Sequence, residues 1–286
     1  MEKIIVLGAT GNIGTAVLKN LQNKNVEVFG GVRSERDFKK VQQFNAKPVL
    51  VNFTDQDSLN QALKGKQRIF LVTPLMQNPE FITQLVINSA IENNVKHFVR
   101  STALGADVDG QIQMARWAGK SEELIKASGI NYTFVRPNNF LQNFINFHSQ
   151  TIKEHSGFYL PNGAAKLGMV DINDIAEVIS IALTSESHYN QAYNLSGLAL
   201  TNNEYANIIS EVTNKKVSYI DVPEDKARES MLSNGMPVWM VNAMMELNYI
   251  MKQGWTAEYS EDFKKVTGRE YTSAKTFFES NKNYFI

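Results

Sequence analysis

Short apolar runs recur through the first half of the chain, at residues 4–7, 26–32, 48–51, 69–73, 97–101 and 132–135. Between them, apolar residues return at three- and four-residue intervals, as in Ile13, Val17, Leu18 and Leu21, or Phe81, Leu85, Ile87, Ala90 and Ile91. That spacing predicts amphipathic helices. The runs predict strands and, being continuous rather than alternating, strands buried on both faces. Strands and helices taking turns predict right-handed crossovers and a parallel sheet covered by helices on each side.

After about residue 155 the rhythm changes. Gly157, Gly163 and Gly168 punctuate a stretch leading to a predicted helix over 172–183 and a short strand near 193–195. Thr201 followed by Glu204 has the spacing of a capping box, so a helix is expected to begin at Asn202. A strand over 217–220 and two or three further helices complete the chain. The pattern predicts an α/β protein: a doubly wound parallel sheet over 1–155 and a smaller α+β C-terminal lobe over 156–286. The strand near 193–195 is expected to return to the main sheet. No internal repeat, low-complexity tract or long linker divides the chain.

Composition narrows the function. Lysine plus arginine equals aspartate plus glutamate at 29 each, so no excess positive field is available for nucleic acid or an anionic membrane, and neither partner is expected. The chain has no cysteine, which excludes disulfides, thiolate zinc sites, iron–sulfur clusters and a cysteine nucleophile. His97, His148, His155 and His188 show no metal-ligand spacing, and no metal is expected. The first apolar run breaks at Gly8, too short for a signal peptide or a membrane span, so a cytoplasmic location is expected.

The most informative chemistry follows the first strand. Gly8, Ala9, Thr10, Gly11, Asn12, Ile13 and Gly14 form a glycine-rich turn that opens the first helix. The first glycine permits the tight turn, the second lets the backbone approach a pyrophosphate, and the third allows close helix–strand packing. Free N–H groups and the positive end of the helix dipole then face the phosphates. In this strand–turn–helix setting the motif predicts a Rossmann-type dinucleotide site. The second strand ends in Gly30-Gly31-Val32-Arg33-Ser34, with arginine where an acidic residue would mark NAD. Arg33 suits a forked contact with a 2′-phosphate, so NADP(H) is preferred and NAD(H) is the alternative. The plainer reading of Arg33 is a solvated residue at a helix start. Phe53 and Thr54 follow the third strand, where a side chain can flank the adenine or simply pack.

Taken together, the turn GATGNIG, GVRS, VNFTDQDSL, FLVTP, HFVRSTALGA, SGINYTFVRPNNFLQNF, GMVDINDIAEVI and NKKVSYIDVP resemble the NmrA-like branch of the atypical short-chain dehydrogenase/reductases, nearest its quinone reductase and triphenylmethane reductase group. The resemblance implies a Rossmann-type domain plus a smaller lobe, with substrate in the cleft between them. It also implies that Thr73 and Pro74 line the nicotinamide-side path, that Ser101 and Thr102 sit near the nicotinamide, and that the segment with Pro137, Asn138, Asn139, Phe140 and Phe144 borders substrate and cofactor. Each hydroxyl could equally cap a strand end. The asparagines offer amide donors, while Phe140, Phe144 and Trp117 offer flat apolar surface for an aromatic ring or, for the phenylalanines, core packing.

Ordinary short-chain dehydrogenases carry a tyrosine four residues before a lysine on one helix. Here Lys120 holds the lysine position and Arg116 stands at the tyrosine position. Arginine stays protonated near neutral pH and cannot donate a proton, which argues against alcohol–ketone chemistry and against a nucleotide-sugar epimerase. Reduction of a quinone or conjugated dye yields a delocalised anion that electrostatics can stabilise, with Lys120 binding the ribose and Arg116 and Lys120 as the candidate catalytic cations. The plainer reading places both on a solvated helix face with Glu123. The leading expectation is therefore an NADP(H)-dependent reductase of a small aromatic or quinone-like molecule. A redox-sensing regulator with a protein partner is the alternative, an epimerase-like protein the third, and a homodimer is left open. The methionine-rich stretch 231–251 reads as an amphipathic helix or a lid.

Overall fold

A computed structural model describes residues 1–286. The chain begins β1 (Glu2–Leu7), α1 (Asn12–Leu21), β2 (Val26–Val32), α2 (Phe38–Gln42), β3 (Lys47–Leu50), α3 (Gln56–Leu63), β4 (Arg68–Leu71), α4 (Pro79–Glu92), β5 (His97–Ser101), α5 (Gln113–Ala127) and β6 (Asn131–Pro137). It continues with α6 (Ser149–His155), β7 (Gly157–Leu160), β8 (Lys166–Leu167), α7 (Ile172–Thr184) and β9 (Gln191–Leu195). The remainder is β10 (Leu200–Thr201), α8 (Asn202–Thr213), β11 (Ser218–Asp221), α9 (Glu224–Ser233), α10 (Val238–Lys252), α11 (Asp262–Thr267) and α12 (Ala274–Ser280).

Seven strands form the main sheet in the order β3-β2-β1-β4-β5-β6-β9. The pairs from β3 to β6 are parallel, with Ile5 opposite both Phe29 and Ile69. At the far edge, Asn190 N–H reaches the Tyr132 carbonyl and Asn138 N–H reaches the Leu195 carbonyl, so β9 runs parallel to β6. Strand order reverses between β1 and β4, and the crevice beyond the carboxyl ends there is where such sheets bind ligands.

One face of the sheet packs Ile5, Leu7, Ile69, Leu71, Phe98 and Phe134 against the apolar stripes of α3, α4 and α5. The α4 stripe is Ile82, Val86, Ile87 and Ala90, while Phe81 and Ile91 are exposed. Of the stripe expected from the spacing, Ile87 and Ala90 are buried and Leu85 packs against the core, whereas its two ends face solvent. α7, buried along nearly its whole length, packs against α1 and against β4, β5 and β6.

The chain divides into two units that interleave rather than meeting at residue 155. One comprises Met1–Pro137, Ile172–Asn194 and Lys265–Gly268; the other comprises Asn138–Asp171, Leu195–Lys264 and Arg269–Ile286. α7 belongs with the sheet because its apolar circumference needs cover on more than one side, and the sheet and α1 supply it. The second unit has its own core, in which the Phe144 ring meets Phe158 and Phe278 edge-on, each at 5.2 Å between centroids. Two small sheets, β7 with β11 and β8 with β10, flank that core. The capping box at α8 is present in both directions. Gly235, at φ 79°, and Pro237 split the methionine-rich stretch into α9 and α10, so four helices rather than two or three close the chain.

Candidate functional site

Local geometry at the glycine turn follows from missing side chains. Gly8 sits at φ 94° with a Cβ position 2.5 Å from the Val72 carbonyl oxygen, and at Gly14 a Cβ would run into the Gly8 carbonyl. Any other residue at Gly8 would collide with the chain leaving β4, and at Gly14 it would push α1 off the turn. Gly11 is different: a Cβ there would make only an ordinary contact at 3.5 Å, so the protein itself does not require glycine. The space above it is open, which is what a bound group approaching the backbone needs. Gly11 caps α1 without a side chain, no acidic residue occupies the first turn, and Thr10 and Asn12 are exposed. Ile13 is buried beneath them. The uncapped N–H groups fit an anion, and the residues present fit the pyrophosphate of a dinucleotide.

Arg33 follows β2 and is exposed, with no ion pair or side-chain hydrogen bond holding it. Past β3, Phe53 is half-buried against the sheet core, and Thr54 turns back so that its N–H and hydroxyl both donate to Asn52 Oδ1, at 3.1 and 2.9 Å.

A charged network, most of it unread in the sequence, lies at the ends of β4, β5 and β6. Arg100 is 4% exposed; its Nη1 donates to the Leu71 carbonyl at 3.1 Å and its Nη2 to Thr73 Oγ1 at 3.0 Å. Glu122, 1% exposed on α5, accepts from the Thr102 hydroxyl at 2.7 Å and from Arg136 Nε at 2.9 Å, and its other oxygen pairs with Arg136 Nη2. This forked pair raises Arg136 further, chiefly through the hydrogen bond to Glu122. Burial pulls Arg100 down to about 10, partly offset by Glu122, so it remains a cation at neutral pH. Ser101 is buried, while Pro74 is exposed beyond β4. A charged residue inside the apolar run HFVRS was the sequence signal for the network; its partners were not visible there.

On α5 the two expected cations part company. Arg116 is committed to the loop before its own helix: Nη1 donates to the Gly110 and Gln111 carbonyls at 2.8 and 3.1 Å, and Nη2 to Gln113 Oε1 at 3.0 Å. It is thereby a loop anchor. Lys120 is exposed and forms no ion pair, since Glu123 pairs with Lys126 at 2.8 Å. Trp117 is buried at 7% exposure on the same helix.

The second unit corrects two expectations. Asn138 does not offer its amide outward: Nδ2 donates to Ser196 Oγ at 3.0 Å and to the Thr256 carbonyl at 2.9 Å, and Oδ1 accepts from the Asn139 N–H at 2.8 Å. Both amide hydrogens are used in tying three loops together. Phe144 is core, at 2% exposure, and leaves the substrate-facing set. Asn139 and Phe140 stay half-buried beside Val170, with which Phe140 forms an isolated bridge. Pro137 is buried at the end of β6, where its carbonyl accepts from the Leu104 N–H at 3.0 Å. No group of three or more His, Asp or Glu side chains is arranged to hold a metal ion, and no helix is long and apolar enough to cross a membrane.

Known proteins resemble the chain along its length. An NAD(P)H azoreductase from Xenophilus azovorans is 35% identical over 283 residues, covering 98% of this chain and 96% of that protein. A triphenylmethane reductase from Citrobacter sp., solved with NADP(H), superposes with a TM-score of 0.86 at 24% identity, over 97% of this chain and 99% of its own. An NADPH-dependent quinone oxidoreductase from Escherichia coli, solved with NADPH, gives 0.87 at 22% identity, over 99% and 100%. At those identities the two structures speak for the fold. The model of the NmrA-like family matches residues 1–278, and the chain belongs to that family.

Proposed function

We propose that this chain is an NAD(P)H-dependent reductase that prefers NADPH and delivers hydride to a quinone or a similar planar, conjugated acceptor. The observation that carries the reading is a glycine turn with open N–H groups, followed at the end of β2 by an exposed, unpaired Arg33. The names of the relatives, an NAD(P)H azoreductase and a triphenylmethane reductase among them, support the choice of acceptor. When bound, the nicotinamide supplies the hydride. Gly8, Gly11, Gly14 and the start of α1 would hold the pyrophosphate, with Thr10, Asn12 and Ile13 shaping the turn, and Arg33 would take the 2′-phosphate. Phe53 and Thr54 would flank the adenine. Thr73, Pro74, Ser101 and Thr102 would border the nicotinamide, and Lys120 its ribose.

The acceptor class follows from what α5 lacks. With Arg116 in the tyrosine position and bound to its loop, no side chain there can pass a proton. An acceptor whose reduced anion is delocalised needs none, because water can protonate it after reduction. NADPH oxidation followed by absorbance, with a panel of quinones and azo and triphenylmethane dyes, tests this. The expected result is acceptor-dependent oxidation with NADPH favoured over NADH about tenfold or more, as one charge-assisted phosphate contact gives. Arg33→Ala should bring the two cofactors near parity. Tight NADPH binding without turnover by any acceptor would overturn the reductase in favour of a redox sensor.

A further inference from the structure

We propose that the Arg100 guanidinium makes the site discriminate between the two redox states of the dinucleotide, holding the reduced form more tightly. The inference rests on the nicotinamide lying beside Thr73, Ser101 and Thr102, as proposed above. What the structure supplies is a charge imbalance. Two guanidinium groups, Arg100 and Arg136, share a region with one carboxylate, Glu122. Both Glu122 oxygens are taken by Arg136, and one also by the Thr102 hydroxyl. Arg100 is left with a carbonyl and a hydroxyl, both neutral, and its buried Nε has no partner at all.

A buried cation without a charged partner is costly, and a chain that only needed to fill this space could do so with an apolar side chain. Arg100 lies one hydrogen bond from Thr73 and one residue from Ser101, so its charge is set into the border of the proposed nicotinamide position. The oxidised nicotinamide ring carries a positive charge and the reduced ring is neutral. In a region shielded from water, a fixed cation repels the first and leaves the second unaffected. The same cation would favour negative charge growing on an acceptor.

The test is direct measurement of Kd for NADPH and for NADP⁺, by titration calorimetry, on the wild-type chain and on variants of opposite sign. Wild type should bind NADPH the more tightly. Arg100→Gln, which keeps a donor toward Thr73 but removes the charge, should shrink that preference about tenfold, and Arg100→Lys should retain it. Glu122→Gln, which leaves the cluster more positive, should move the ratio the other way. A purely structural role would not give opposite shifts. Equal affinities in wild type, or a ratio unmoved by Arg100→Gln in a chain that still binds both forms, would overturn the proposal. The wild-type comparison decides against it even where a variant does not fold. Failure of wild type to bind either form would instead overturn the dinucleotide reading itself.

Discussion

Replacing the Glu122 carboxylate by an amide would leave Arg136 without its charged partner in a region where Glu122 is almost completely shielded from solvent. Breaking such a pair from one side costs about 3–5 kcal/mol, and Arg136 keeps enough exposure to put Glu122→Gln near the lower figure. A urea melt should show the midpoint falling accordingly, and an unchanged midpoint would mean that the pair adds nothing to the fold. The glycine turn was legible because its requirements are local: seven consecutive residues state both the conformation and the chemistry. The Glu122 network was not, because Arg136 lies 14 residues from Glu122 and Thr73 lies 27 from Arg100, and only strand order brings them together. Asn138 misled for a related reason. An amide read as an outward donor is spent on Thr256, 118 residues later in the chain.

At the scale of elements, α5 shows why a glycine stands in the middle of a helix that bears an expected cofactor contact. A Cβ on Gly119 would overlap the Asp107–Val108 peptide, which crosses the helix at that point. The crossing is fixed by Asp107 N–H to the Ala115 carbonyl at 3.1 Å and by Arg116 to the Gly110 carbonyl at 2.8 Å. Alanine in a helix interior is ordinarily better than glycine by about 1 kcal/mol. Here the overlap should reverse the sign, so that Gly119→Ala destabilises by about 1–3 kcal/mol in chemical denaturation. A stabilised variant would show that the loop does not rest on the helix. In the first half, strand and helix existence was readable from periodicity, whereas β7 and β8, within the glycine-punctuated stretch, were not, and the α4 face was only partly placed. Phe81 and Ile91 have the right spacing for a core stripe but face solvent, while Ile82 and Val86 join the expected Ile87 and Ala90 on the buried side. Periodicity identifies a helix without saying which of two apolar edges turns inward.

Over the whole molecule, histidines discounted as ligands set the response to acid. His97 is fully buried; its Nε2 meets Thr133 Oγ1 at 2.9 Å, and that hydroxyl donates its only proton to the His188 carbonyl at 2.6 Å. The ring must therefore carry its proton on Nε2, and buried Nδ1 has no partner. Burial first, then the Arg68 cation, hold His97 at about 3, and burial holds His148 at about 4. Both values lie below the unfolded histidine value. Above it neither group affects stability; as pH falls through about 6.5, the unfolded chain gains protons that the native one refuses. Stability should drop by about 1.4 kcal/mol per unit for each histidine until about pH 4 for His148 and about pH 3 for His97. His97→Asn should remove about one proton from the slope of unfolding free energy between pH 6 and 4. A slope that stays the same would assign the acid response to other groups. The strand near 193–195 was expected in the main sheet, where β9 lies, whereas α7 was read with the second lobe, since periodicity carries no information on which neighbour a buried helix will choose.

The interleaving of the two units has a consequence for how the chain is made. Six strands have emerged from the ribosome by Pro137, but β9, which covers the outer edge of β6, is encoded only at Gln191–Leu195. For more than fifty residues of synthesis, the β6 edge has open N–H and C=O groups while residues 138–171, which go to the other unit, are laid down. A nascent chain stalled in that interval, or a fragment ending near residue 155, would present a bare pairing edge and lack α7 over the sheet. Such fragments should pellet when expressed alone, and the full-length chain should depend on chaperone capacity most during that window.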